Sequence, residues 1–462
     1  MTKNLDKRAL FEDEPISKAL ATMAAPTIVS QLIHLIYNVV DAFFLGRTGN
    51  PYMSAATSLA WTLVMLNTAL SNLYGVGGGS LVARLLGAKE TDEAKRASSF
   101  TVYCGITTAL GYSVLLALFL RPILRFLGAS EATLGYAVQY TTLVLVAGSV
   151  PSLLSTVLAH LIRNVGYADK ASIGLSGGGL LNILLDPLLM FVILPRGYEV
   201  VGAALATLIS NTASCVYLLY AYRRASRTAS LSLRLQDAGK ARPESRRKLF
   251  SVGVPSALLT GLFDLANVCV NILASSHSDL VLAGIGIVMK VERVPTAVNL
   301  GICHGAMPII AYNYSSGNRE RMKKTIQTAR LWGLMVCSAA IVLFLLFSTP
   351  VAAVFMDTRT GEAALKTIAY AALFLRIRCL ASPVQFLNFH TSYSLQAMGM
   401  GKATVIHAAV RELVFYIPFL FLLDHLFGEI GLAYALLAGE GCGALFALWM
   451  LRRKLKTDKM AA

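Results

Sequence analysis

Asn182-Ile-Leu-Leu-Asp-Pro-Leu-Leu-Met-Phe191 places an aspartate, Asp186, inside a run too apolar and too long for anything but a membrane helix. A carboxylate at bilayer depth costs at least about 2.5 kcal/mol even on lenient insertion scales, so its presence asks for a function. Pro187 removes a backbone donor and favours a kink, which frees polar backbone groups beside the acid. Asn182 stands four residues before Asp186. The two share a helix face, and their oxygens can converge on one ligand. The competing reading is that Asp186 only hydrogen-bonds a neighbouring helix.

The surroundings agree with a membrane setting. Of 462 residues, 56% are hydrophobic and 14% charged, with a mean hydropathy of +0.62. A soluble chain carries about 25% charged residues, so a string of globular domains is excluded and an all-α polytopic membrane protein is predicted. The net charge of +16 does not point to nucleic acid, because the basic residues are spread through many short loops. Met1 to Lys18 is charged and lacks an apolar core before a small-residue cleavage site, so no removable signal peptide is expected. The seven cysteines are single and far apart, which predicts packing residues with neither disulfides nor metal.

Apolar segments of about 20 residues begin near Ile16, Tyr52, Ala97, Thr133, Ala171 and Gly202, then near Leu249, Leu280, Ile326, Ala363, Ala403 and Gly431. Twelve transmembrane helices are expected. About thirty of the 41 basic residues fall on the side shared by the termini, which sets both termini in the cytoplasm of a plasma membrane. The densest basic stretch, Arg223 to Lys248, reads as a solvated or lipid-surface linker. It divides residues 1–222, a first six-helix lobe, from residues 249–462, a second.

The halves repeat at a spacing of roughly 230 residues. Pro26 answers to Pro255, Gly75 to Gly305, Pro122 to Pro350, Arg163-Asn-Val-Gly166 to Gln396-Ala-Met-Gly399, and Pro187 to Pro418. Six spans per half is an even number, so both halves enter the membrane the same way up. A parallel repeat of this kind, with pseudo-twofold symmetry about the membrane normal and a cavity between lobes, is the body of a carrier.

Residues for its chemistry lie mainly in the first half. At ~1.5 Å per residue, Asp41 sits about 7 Å below the outer edge, Asp186 about 12 Å, Asn182 about 18 Å and Thr207 about 10 Å. Such oxygens suit a hard cation, and two nearby carboxylates also make a proton carrier. Depth alone does not fix helical phase, so convergence is an expectation. The second half carries Asp264, Lys290, Glu292, Arg293, Arg376, Arg378, Arg411, Glu412 and Glu440 within spans. The basic residues among them are expected in a structural salt-bridge network. Asp264 has no basic residue within a turn and is the candidate to meet a cationic substrate. The intramembrane histidines are read as packing residues, and the triplets Gly77–Gly79 and Gly177–Gly179 as close-packing sites rather than phosphate loops.

Pro26 with Asp41 and Gly46, Arg84-Leu-Leu-Gly-Ala-Lys89, Asn182–Phe191 and Gly305-Ala-Met-Pro-Ile-Ile-Ala-Tyr-Asn-Tyr314, taken with the six-plus-six repeat, resemble the multidrug and toxic compound extrusion (MATE) family. The resemblance spans nearly the whole chain. It implies a bacterial antiporter that moves Na⁺ or H⁺ inward while organic, often cationic, compounds leave. It also implies that Asp41, Asn182, Asp186 and Thr207 form the first-lobe cation site, with Na⁺, if that is the ion, at Asp41, Asn182 and Asp186. Helix bending is expected at Pro26 and Pro187. Some branches place carboxylates on spans seven and ten; Arg376 and Arg378 stand on span ten here, so no second-lobe cation site is carried over. No cofactor, no nucleic-acid partner, no enzymatic activity and a monomer in the bilayer are expected. The alternatives are a flippase for a lipid-linked saccharide and an intramembrane prenyl- or glycosyl-transferase; against the latter, the position for a third diphosphate ligand holds Met190.

Overall fold

The computed structural model describes residues 7–355 and 362–460, and among these residues there is no strand. Twelve long rods follow a short helix, Lys7–Glu12. Span 1 is Ile16–Gly46, span 2 Pro51–Gly87, span 3 Thr91–Phe126 and span 6 Glu199–Ala225. Span 4 is bent by 47° between Glu131–Ala147 and Ser149–Asn164, and span 5 is Ala168–Ile193. Span 7 is Pro243–His277, span 8 Asp279–Ser315 and span 9 Arg319–Ala353. Span 10 is Glu362–Ala397. Nine helices among the described residues are long and apolar enough to cross a membrane, ten with bent span 4 included. One of them, Gly401–Leu455, turns back at Gly428 (φ 59°) into two rods, spans 11 and 12.

Local chemistry sets the ends. Asn50, Ser130, Ser278 and Asn318 cap their helices by accepting a hydrogen bond from a backbone N–H two or three residues on. Pro51 and Pro243 occupy first-turn positions, where their missing N–H costs nothing. Gly166 and Gly399, paired by the sequence repeat, both take the left-handed turn (φ 95° and 77°) after spans 4 and 10. Span 9 breaks its helical angles at Phe347 (φ −119°, ψ 22°), three residues before the Pro350 that removes an i−4 bond there. Outward faces carry unburied apolar side chains such as Leu118 and Leu445, 70% and 72% exposed, as lipid requires.

Each half has its own apolar core, and a further cluster joins them at the end that holds the termini. The seam is made twice. Span 2 crosses span 7 with Gly77 against Leu249 and Gly253, while span 8 crosses span 1 with Gly305 against Ala24 and Gly301 against Ile28. These crossings exchange under the pseudo-twofold, since Ala24 corresponds to Gly253. Neither leaves room for a larger side chain, the close backbone approach typical of small residues in membranes. The deepest polar link across the seam is Asn72 Nδ2 donating to Thr260 Oγ1 at 3.2 Å. Farther from the termini Ile36, Val39, Phe43, Leu265 and Val268 are exposed.

The basic linker keeps nearly all of its arginine and lysine side chains exposed, while its backbone is tied to the first half. Ser99 and Tyr103 on span 3 donate to the carbonyls of Arg234 and Leu233 at 2.7 and 2.8 Å. Tyr222 donates to the Ser232 carbonyl, and Arg242 is paired with Glu90 and Glu93. Hydroxyls on the inner ends of spans 3 and 6 supply partners for the linker backbone, so it is strapped to the first half.

Candidate functional site

Span 5 positions the acid with which the sequence reading began. Its helix runs intact through Pro187 and then widens into a π turn, Leu189–Ile193. Asp186 is fully buried. Its Oδ1 accepts from Asn182 Nδ2 at 3.3 Å, and the same amide reaches Thr207 Oγ1 on span 6 at 3.5 Å. Asn182 thus ties spans 5 and 6 together beside the carboxylate.

Asp41 comes from span 1, which packs along span 5. It and Asp186 are near enough to act on each other electrostatically, and both act on the phenols of Tyr37 and Tyr140. Hydrogen bonds join Asn182, Asp186 and Thr207, and Asp41 on the neighbouring span 1 lies within electrostatic range of Asp186. Three buried oxygens there have no hydrogen-bond partner: Asp41 Oδ1, Asn182 Oδ1 and Asp186 Oδ2. Buried acceptors without a partner are costly. A bound cation or proton would satisfy them. Among the described residues no group of three or more His, Cys, Asp or Glu is placed to hold a metal ion, so the set is two carboxylates with neutral oxygens. That composition suits a monovalent cation or a proton.

Sequence reasoning missed Tyr37 and Tyr140. Tyr37 stands four residues before Asp41 on the same helix, a spacing that could have revealed it. Tyr140 arrives from span 4 and carried no such signal. The repeat equivalents of Asn182 and Asp186 in span 11 are Leu413 and Ile417, one residue before Pro418. The polar site is therefore confined to one half.

In the second half, pairing is narrower than the sequence suggested. Arg378 grips Glu292 through Nε at 3.0 Å and Nη2 at 2.9 Å, and Arg411 grips Glu440 through Nε at 2.9 Å and Nη2 at 2.5 Å. Arg376 instead donates to Ser348 Oγ at 2.7 Å. Lys290 and Arg293 are exposed and make no ion pair among the described residues. Asp264 on span 7 is partly buried, and the charge that acts on it is that of Arg293. It therefore shares its surroundings with a cation that the sequence reading had not placed there. His160 and His304 lie 5.3 Å apart between the halves, and Tyr393 packs at a tilt against His304 at 4.8 Å, an aromatic group. Pro26 leaves span 1 continuous, with Thr27 Oγ1 bonding the Met23 carbonyl beside it.

The profile of the MatE family matches this chain twice, over residues 26–188 and 255–422, once in each half. The multidrug export protein MepA of Staphylococcus haemolyticus is 30% identical over 453 residues, covering 97% of both chains. MepA of Staphylococcus aureus is 30% identical over 455 residues with the same coverage. Among solved structures, a MATE protein in complex with MaL6 superposes with a TM-score of 0.92 at 22% identity, over 99% of this chain and 100% of the other. An outward-facing MATE multidrug resistance transporter superposes at 0.91, also at 22% identity, over all of both chains. At that identity the likeness establishes the fold: twelve helices in two lobes.

Proposed function

The chain belongs to the MatE family of multidrug efflux transporters, and from that premise we propose how it is energised: as an antiporter whose coupling ion, Na⁺ or H⁺, binds at Asp41, Asn182, Asp186 and Thr207. The observation that carries this reading is the set of three buried, unpartnered oxygens on Asp41, Asn182 and Asp186. Each lacks a donor among the described residues. One positive charge shared among them removes both the unsatisfied acceptors and the repulsion between two carboxylates.

The cycle follows from that neutralisation. With the cleft open away from the termini, an ion loads the first-half site and relaxes spans 1 and 5, which carry Pro26 and Pro187. Loss of charge repulsion draws these spans together and lowers affinity for compound held between the halves. Drug leaves outward and the ion proceeds inward. Linkage requires that bound compound weaken ion binding by the same factor. Organic cations are the favoured substrates, with Asp264 on the span 7 face as the counter-charge. The exposed Lys290 and Arg293 nearby make the second half less selective for cations than the first. The basic ends of the spans set both termini in the cytoplasm of the bacterial plasma membrane. The transporter works as a monomer, with the bilayer and small molecules as its partners.

The deciding experiment uses proteoliposomes loaded with ethidium and exposed to an imposed Na⁺ gradient, then to an imposed H⁺ gradient. One gradient should drive export in the wild type, and Asp41→Asn and Asp186→Asn should abolish that response. Full ion-driven export by both variants would remove these residues from the coupling role.

A further inference from the structure

The second half holds a buried acid whose one nearby counter-charge, Arg411, is hydrogen-bonded to another carboxylate. Glu412 lies on span 11 within a π-helical segment, Val410–Tyr416, and is fully buried. The adjacent Arg411 is committed elsewhere, to both oxygens of Glu440 on span 12. Glu412 Oε1 stays 3.5 Å from Arg411 Nε, and neither Glu412 oxygen has a hydrogen-bond partner. Glu440 also accepts from Asn388 Nδ2 at 2.6 Å. Asn388 Oδ1 faces His407 Nε2 at 3.1 Å, and His407 Nδ1 faces Ser392 Oγ at 2.8 Å. On the far side, Tyr416 meets Arg378, which is held by Glu292.

The charges can be tallied from these neighbours. Span 11 brings Arg411, Glu412, His407 and Tyr416; span 12 brings Glu440; span 10 brings Arg378; span 8 brings Glu292. Span 7 adds Asp264, next in sequence to Phe263, whose ring meets the Phe389 that lies under the Arg411 guanidinium. Two arginines face two glutamates in bidentate pairs, and Glu412 is left over. An ionised carboxylate without donors does not persist in such a place. A metal cation is poorly served, because it needs several free oxygens. Those of Glu440 and Asn388 are occupied, and Arg411 stands beside the site. A proton needs only one oxygen.

We propose that Glu412 is a proton-binding site of the second half, protonated in this conformation and emptied during the transport cycle. Emptying is an exchange of partners. The proton leaves the Glu412 carboxyl for water, and Arg411, whose Nη1 is buried and unpartnered here, turns its donors to the new carboxylate. A π segment favours such a move, since its wide turn can pass along a helix by one residue, and such segments often mark working sites. Phe389, 4.6 Å over the Arg411 guanidinium and paired with Phe263 beside Asp264, separates the site from the span 7 face. The proposal rests on the antiport reading above and adds one proton to its stoichiometry.

The test counts protons per exported ethidium in proteoliposomes with a lumenal pH dye, together with infrared spectra of the purified transporter. Glu412→Gln, which mimics the protonated acid, should keep export while lowering the proton count by one. It should also remove one protonated-carboxyl band that is present at neutral pH. An unchanged proton count with the band retained overturns the proposal. Should the glutamine variant fail to accumulate, Glu412→Asp should keep the count and move the band; a band that does not move overturns it equally. The two readings fail separately: undiminished ion-driven export by Asp41→Asn and Asp186→Asn sinks the first-half coupling site, while the infrared band still reports on Glu412.

Discussion

Gly253 of span 7 lies against the backbone carbonyl of Leu73 on span 2 so closely that no Cβ fits between them. The same intimacy recurs between Gly305 and Ala24, its pseudo-twofold counterpart. The two halves meet at the terminal end through backbone surfaces.

Adding one methyl group at either crossing should therefore disturb closure more than folding. Overpacking of this kind costs about 1–3 kcal/mol. Gly253→Ala and Gly305→Ala should each lower ethidium export about tenfold at unchanged membrane abundance. Export assays paired with quantitative immunoblots check this, and wild-type rates in both variants would show that the seam does not limit the cycle.

Asn182 is the one donor found for the Asp186 carboxylate among the described residues. Asn182→Leu should weaken the coupling ion about tenfold, because loss of a partner to a buried acceptor costs about 1–3 kcal/mol. Thr207→Val removes a hydroxyl at the edge of the set, 3.5 Å from Asn182, and should cost about threefold or less. The ion concentration giving half-maximal export is the readout, and the reverse ranking would exclude the geometry described.

The Arg378–Glu292 pair is bidentate and nearly dry, with side chains 4% and 15% exposed. Removing one partner leaves a buried charge uncompensated, at about 3–5 kcal/mol. Arg378→Met and Glu292→Gln should each lower the apparent Tm in detergent by several degrees. Combining Arg378→Met with Glu292→Met should recover most of that loss. A double variant as unstable as the singles would mean that the pair contributes through its hydrogen bonds rather than charge balance.

Phe11 is buried, stacks on Tyr312 at 5.2 Å and offers its carbonyl to Asn313 and Arg321. The short leading helix is thus anchored to spans 8 and 9 of the second half. Phe11→Ala should destabilise the protein by about 3 kcal/mol, read as faster cleavage near residue 11 by added protease.

Much of this was legible in the chain. The Asn182–Asp186 pairing follows from helical spacing alone, and the rods begin within a few residues of the apolar runs that announced them. Their extra length is polar, as at Pro243–Lys248 and Arg319–Thr325, where hydropathy falls but helical bonds continue. Contacts between spans were not legible. Which faces meet is set by packing across the bundle, so the approach of Thr207 to Asn182, and the choice of Glu292 rather than another carboxylate for Arg378, needed coordinates. Lys290 and Arg293 misled for the same reason: a charge within an apolar run does not reveal whether it faces a partner or an opening.

The manner in which the halves are joined has one further consequence. Among the described residues, the ion pairs between the halves are those of Arg242, the cap of span 7, with Glu90 and Glu93, and none lies at the two glycine crossings. Dissolved electrolyte shields charges within a Debye length of about 8 Å at physiological strength, but it has little purchase on glycine backbones pressed together. The inner latch should hold equally from dilute buffer to molar salt, leaving its release to cargo rather than to the medium.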